Sequence, residues 1–67
     1  MNKPTPEELT YIASIKDQKR FSPNDRKVMY GVYNRIHGTN ERPTSCGRCL
    51  ANKHKALMQI YKDNTNG

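Results

Sequence analysis

The chain has 67 residues, room for one domain at most, and hydrophobic residues make up only 33 % of it, with one Phe and no Trp. That excludes a large core and leaves a thin one of Leu, Ile, Val, Met and Tyr, so a metal, a disulfide or a partner is expected to help hold the fold. Twelve Lys and Arg against six Asp and Glu give a net charge of +6, which selects polyanionic partners: DNA or RNA, or an acidic protein surface.

The charge is uneven. Residues 1–15 hold Lys3 against Glu7 and Glu8, so the positive excess lies from Lys16 onward. The polar N-terminus does not read as a signal peptide, and no stretch is apolar enough to span a membrane. Two cysteines three residues apart do not make a secreted disulfide scaffold. The expected location is the cytoplasm, with reduced thiols.

The first helix is announced by Thr5-Pro6-Glu7-Glu8. Thr5 caps the free amides, Pro6 takes the first helical position, and Glu8 completes a capping box. Leu9, Ile12, Ala13 and Lys16 follow at helical spacing, with Tyr11 and Ile15 beside them, and the helix should fade around Lys19-Arg20.

Ser22-Pro23-Asn24-Asp25 starts a second helix in the same way. Its apolar stripe is Val28, Met29, Val32, Tyr33 and Ile36, and Gly38 is its stop. Gly31 inside the helix costs roughly 1 kcal/mol relative to Ala, which suggests close approach of another backbone. A polar loop leads to Pro43, and Thr44 or Ser45 caps a third helix running to about Lys62, with Cys46, Leu50, His54, Leu57 and Tyr61 on its inner face. The expected architecture is all-α: one small three-helix domain over 1–67, ordered over about 5–62, with a disordered C-terminal tail.

Cys46 and Cys49 are the most informative pair. In a helix's first turn, free amides and the helix dipole favour thiolates, and two thiolates at this spacing form half of a tetrahedral zinc site. His54 follows at Cys-x2-Cys-x4-His, but the fourth knuckle position is Gln59. His37 could supply the fourth ligand if the second and third helices are antiparallel neighbours, or a homodimer could share a Cys-4 site. A redox couple is the weaker alternative, since the βαβ setting of thioredoxin-like proteins is absent, and the leading one is simple packing with no cofactor.

A wheel of the third helix gathers Arg48, Asn52, Lys55, Gln59 and Lys62 opposite the apolar stripe. The second helix carries a similar strip of Arg26, Lys27, Tyr30, Asn34 and His37. Lys and Arg suit phosphates, Arg also suits guanine, and Asn and Gln suit adenine; Tyr30, read as lying off the apolar face, is placed to stack on a base. The link between the second and third helices is too long for a standard helix-turn-helix.

Val32-Tyr33-Asn34-Arg35-Ile36-x-Gly38, followed by Pro43-Thr44-Ser45-Cys46-Gly47-Arg48-Cys49-Leu50, resembles small helical proteins of tailed bacteriophages that carry a Thr-Ser-Cys-x-x-Cys helix start. The resemblance covers roughly the second half of the chain. It implies a short accessory protein made in an infected bacterium, where such proteins bind nucleic acid or disable a host machine. Few and scattered acids, no Ser-His-Asp and no Gly-rich phosphate loop argue against an enzyme. The leading expectation is nucleic-acid binding through phosphates. The alternatives are a protein-binding inhibitor or modulator of a host nucleic-acid-handling enzyme and, third, a virion component.

Overall fold

The computed structural model describes residues 2–44 and 46–65. Three helices follow one another, α1 (Pro6–Ser14), α2 (Pro23–His37) and α3 (Gly47–Thr65), with no strand among the described residues. The all-α, three-helix architecture is as the sequence predicts.

Both capping boxes form. Thr5 Oγ1 accepts the Glu8 amide while Glu8 Oε1 accepts the Thr5 amide, and Ser22 and Asp25 make the same exchange at α2. Each proline occupies the start of its helix, where a missing amide costs nothing. Gly38 closes α2 at φ 67°, a left-handed conformation that a side chain would strain.

The α3 helix packs against both others. Between them lies a core fed by Ile12 and Ile15 from α1 and its cap, by Met29, Tyr30, Val32 and Ile36 from α2, and by Leu50, Leu57 and Ile60 from α3. The chain's start is bound in as well. The Asn2 amide donates to the Ile36 carbonyl at 2.7 Å, and its side-chain amide donates to the Arg35 carbonyl at 2.8 Å. Arg35 returns the contact through the Lys3 carbonyl and pairs with Glu8.

Several expectations need correction. The α1 helix ends at Ser14 rather than near Lys19-Arg20. Ser14 Oγ bonds the Tyr11 carbonyl, the chain tightens into turns with the Lys16 amide on the Ala13 carbonyl and the Gln18 amide on that of Ile15, and the Ile15 carbonyl also accepts from His54 of α3 at 2.9 Å.

The buried face of α2 keeps Met29, Val32, Tyr33 and Ile36 but exchanges Val28 for Tyr30 at its edge. Val28 is 37 % exposed, whereas Tyr30, read as an outward side chain, is 3 % exposed. Both tyrosines lie under Lys53 of α3, whose Nζ is 4.2 Å from the Tyr33 ring centre and 5.8 Å from that of Tyr30. Gly31 is exposed, and a Cβ there would meet nothing within 4 Å, so no backbone packs against it.

At the C-terminus the helix outlasts the expected limit at Lys62. The Asn64 and Thr65 side chains bond the Ile60 and Tyr61 carbonyls, and Gln59 bonds Asp63 four residues on, which carries α3 to Thr65. Within the expected tail, 63–65 are therefore helical, while Asn66 and Gly67 lie outside the described residues.

Candidate functional site

The segment from Lys16 to Phe21 joins α1 to α2 along one flank of α3. His54 anchors it. A carbonyl only accepts, so His54 Nε2 carries the hydrogen it shares with Ile15, and the imidazole lies 5.5 Å from the Phe21 ring. Gln18 fixes the other end, donating to the Arg20 carbonyl at 2.7 Å and to Asp25 Oδ2 at 3.2 Å. Three cations, Lys16, Lys19 and Arg20, thus sit on a short segment tied down at both ends.

Two open grooves separate this segment from α3. One, of about 400 Å³, has Lys16 and Asp17 on one side and Met58, Tyr61, Lys62 and Thr65 on the other. The second, of about 460 Å³, is lined by Lys19, Arg20, Phe21 and Arg26 and by Gly47, Leu50 and Ala51 at the head of α3. His54 lies between the two along the helix. A smaller cleft of about 240 Å³ continues from Arg26 to Lys27, with Pro23, Pro43 and Thr44. Arg26 therefore borders two concave surfaces, and its buried Nε has no hydrogen-bond partner among the described residues.

The ridge expected on α3 is present: Arg48, Asn52, Lys55, Gln59 and Lys62 are all exposed. Gln59 is engaged with Asp63. Lys27 is exposed and Arg26 half-buried. Three members of the α2 strip are not available as expected: Tyr30, Asn34 and His37, whose ring packs on Tyr33. Tyr30 belongs to the core. Asn34 holds the following loop, donating to the Glu41 carbonyl at 2.8 Å and accepting from Thr39 Oγ1 and the Glu41 amide.

Sequence reasoning missed Lys16, Lys19 and Arg20 because they were read as the tail of α1. The signal was there in the charge, which turns positive at Lys16. It also missed Lys53, which pairs with Glu41 at 2.7 Å and so ties the α2–α3 loop to α3. That carboxylate, ahead of the cost of burial, holds the Lys53 ammonium above its usual range.

The cap of α3 is Cys46 rather than Thr44 or Ser45, the latter lying outside the described residues. The Cys46 carbonyl accepts the Leu50 amide, and its Sγ accepts the Cys49 amide at 3.2 Å. Thr44 Oγ1 instead takes the Cys46 amide at 3.3 Å. Both thiols are free and exposed, so Cys46 is not part of an inner face. The two are unequal. The Cys49 side chain, then its amide, lowers the Cys46 pKa against a cost of burial, and the neighbouring Cys46 side chain raises that of Cys49.

The histidines are elsewhere engaged. His54 Nε2 is held by Ile15, and the His37 ring lies 4.3 Å from that of Tyr33, with its Nε2 buried and unpartnered among the described residues. No group of three or more His, Cys, Asp and Glu side chains converges as metal ligands among the described residues. No helix among them is long and apolar enough to cross a membrane. No family model, curated protein or solved structure matches the chain.

Proposed function

We propose that this chain binds nucleic acid through phosphate contacts along the basic flank of α3. The observation that carries the reading is the pinned segment of Lys16, Lys19 and Arg20 facing Lys62 and the head of α3 across two grooves, with Arg26 closing the upper one. Arg48, Lys55 and Lys27 extend the positive surface beyond the groove walls. Phosphates are read by such point charges with little regard to sequence, and release of their counterions makes binding salt-dependent. Phe21 in the upper groove and Tyr61 in the lower offer rings on which an unstacked base can lie, which favours single strands over duplex.

Fluorescence anisotropy on short single-stranded and duplex oligonucleotides tests this. Log affinity should fall linearly with log salt, with a slope of about −3 for some four phosphates on a single strand. Reversing Lys19 and Arg20 to Glu should abolish binding with the helical signal intact, and reversing Arg48 and Lys55 should weaken it. Full binding by both double variants would refute the interface. A chain that ignores every oligonucleotide and retains one acidic host protein would instead be the inhibitor or modulator that the phage-like motif also suggests.

A further inference from the structure

The Cys-x-x-Cys motif stands outside the phosphate-binding reading, and its geometry supports chemistry of its own. We propose that Cys46 and Cys49 form a reversible dithiol–disulfide site that reacts with anionic low-molecular-weight disulfides, with Cys46 as the attacking residue and Cys49 as the resolving one.

Three observations carry this. First, the pair spans a single helical turn, with Cys46 at the cap and Cys49 within the helix, and the Cys49 amide is 3.2 Å from Cys46 Sγ. Residues three apart on a helix have Cβ atoms about 5–6 Å apart. Cys46, a cap residue whose carbonyl joins the ladder but whose amide bonds Thr44 Oγ1 instead, is held less tightly than a residue inside the helix and can close to the roughly 4 Å between Cβ atoms that a disulfide requires. Second, both cysteines are exposed, and neither histidine joins them: His54 Nε2 bonds the Ile15 carbonyl and the His37 ring packs on Tyr33. Third, the two sulfurs have different roles built in. Cys46 Sγ accepts the Cys49 amide at the helix N-terminus, which favours its thiolate, whereas the contact with Cys46 raises the pKa of Cys49. The substrate class follows from charge. Arg48 lies between the cysteines, and the surrounding chain is strongly basic, so an anionic disulfide is attracted and a cationic one repelled.

The exchange balances as two substitutions at sulfur. The Cys46 thiolate attacks one sulfur of the disulfide, that S–S bond breaks, and the departing thiolate takes a proton from water. Cys49 then gives up its proton, and its sulfur attacks Cys46 Sγ. The mixed disulfide breaks, and the second small thiol leaves and is protonated. The protein loses two electrons and two protons, and one disulfide becomes two thiols.

The test uses the reduced, full chain with glutathione disulfide, followed by intact-mass spectrometry. The wild type should lose two hydrogens and gather little mixed disulfide. Cys49→Ser should trap one glutathionyl group on Cys46, at least about tenfold faster than Cys46→Ser acquires one on Cys49. At low salt, glutathione disulfide should outpace the cationic disulfide cystamine, with the gap closing as salt rises. Equal labelling of the two single variants, or a wild type carrying glutathione on both cysteines without an internal bond, would overturn the paired roles. Equal rates with the two disulfides would overturn the substrate class. Stoichiometric zinc that shields both thiols in the purified protein would replace the proposal with a metal site.

Discussion

Arg35 grips both carboxylate oxygens of Glu8, a residue 27 positions earlier, while Glu8 Oε1 also accepts the Thr5 amide that opens α1. One carboxylate thus closes a helix cap and ties α1 to the last turn of α2. The Arg35 hydrogen bond is the main reason the Glu8 pKa is lowered, ahead of the opposing cost of its burial.

Glu8→Gln keeps the shape and removes the charge. Arg35 is partly exposed, so solvent screens the pair, and the expected loss is about 1 kcal/mol. In a domain of this size that lowers Tm by roughly 4–8 °C, readable by circular dichroism. Arg35→Gln should cost at least as much, because it also releases the Lys3 carbonyl.

Acid should unfold the protein through the same caps. Glu8 and Asp25 both have lowered pKa values, Asp25 chiefly through the Ser22 amide. A depressed carboxyl contributes stability that is complete above its ordinary value, 4.5 for Glu8 and 3.8 for Asp25, and is lost as pH falls through the folded-state value. Melting temperature should therefore hold level down to about pH 5 and fall steeply below it. Glu8→Gln should flatten that fall.

Gly31→Ala should stabilise the protein. The position is an exposed helix interior with empty space where the methyl would sit. Replacing Gly by Ala there gains about 0.8–1 kcal/mol from helix propensity, or several degrees in Tm. A melting temperature unchanged or lower would mean that α2 carries a constraint its own surroundings do not reveal.

Much of the fold was legible because local chemistry determines it. Thr5, Ser22, the two prolines that follow them and Gly38 mark helix ends through backbone hydrogen bonds made within a few residues. The misreadings at Tyr30 and at the end of α1 involve contacts between helices, whereas the end and the cap of α3 are set by bonds within a few residues. Tyr30 looked outward because its place on the wheel borders the apolar stripe, and it is the packing of α2 against α3 that buries it in the core. The end of α1 was hidden because one of the bonds at its closing turn, from His54 to the Ile15 carbonyl, comes from 39 residues away. Of the candidate site, the α3 ridge and Lys27 could be read from a wheel, whereas the grooves could not, since they exist only once the linking segment lies against α3.

His54→Ala tests that anchor. Losing the Ile15 hydrogen bond and the Phe21 contact should cost about 1–2 kcal/mol, and by freeing Lys19 and Arg20 it should weaken oligonucleotide binding several-fold without removing any charge. His54→Gln, which restores a donor, should recover part of both. Unchanged affinity with lowered stability would separate the anchor from the interface.

The shortness of α1 has a consequence for exchange kinetics. Its nine residues are fewer than the roughly 12–15 that an isolated helix needs to persist in water, so it stays folded only while docked. It should be the first element to open, and its amides should exchange with deuterium sooner than those at the centre of α3. Lys16, Lys19 and Arg20 follow it directly in the chain, on a segment that Gln18 also ties to Asp25. An oligonucleotide that bridges those cations to α3 would hold the docked state closed, and bound strand should be recorded as slowed deuterium uptake at Leu9–Ser14, in a helix that the strand itself need not touch.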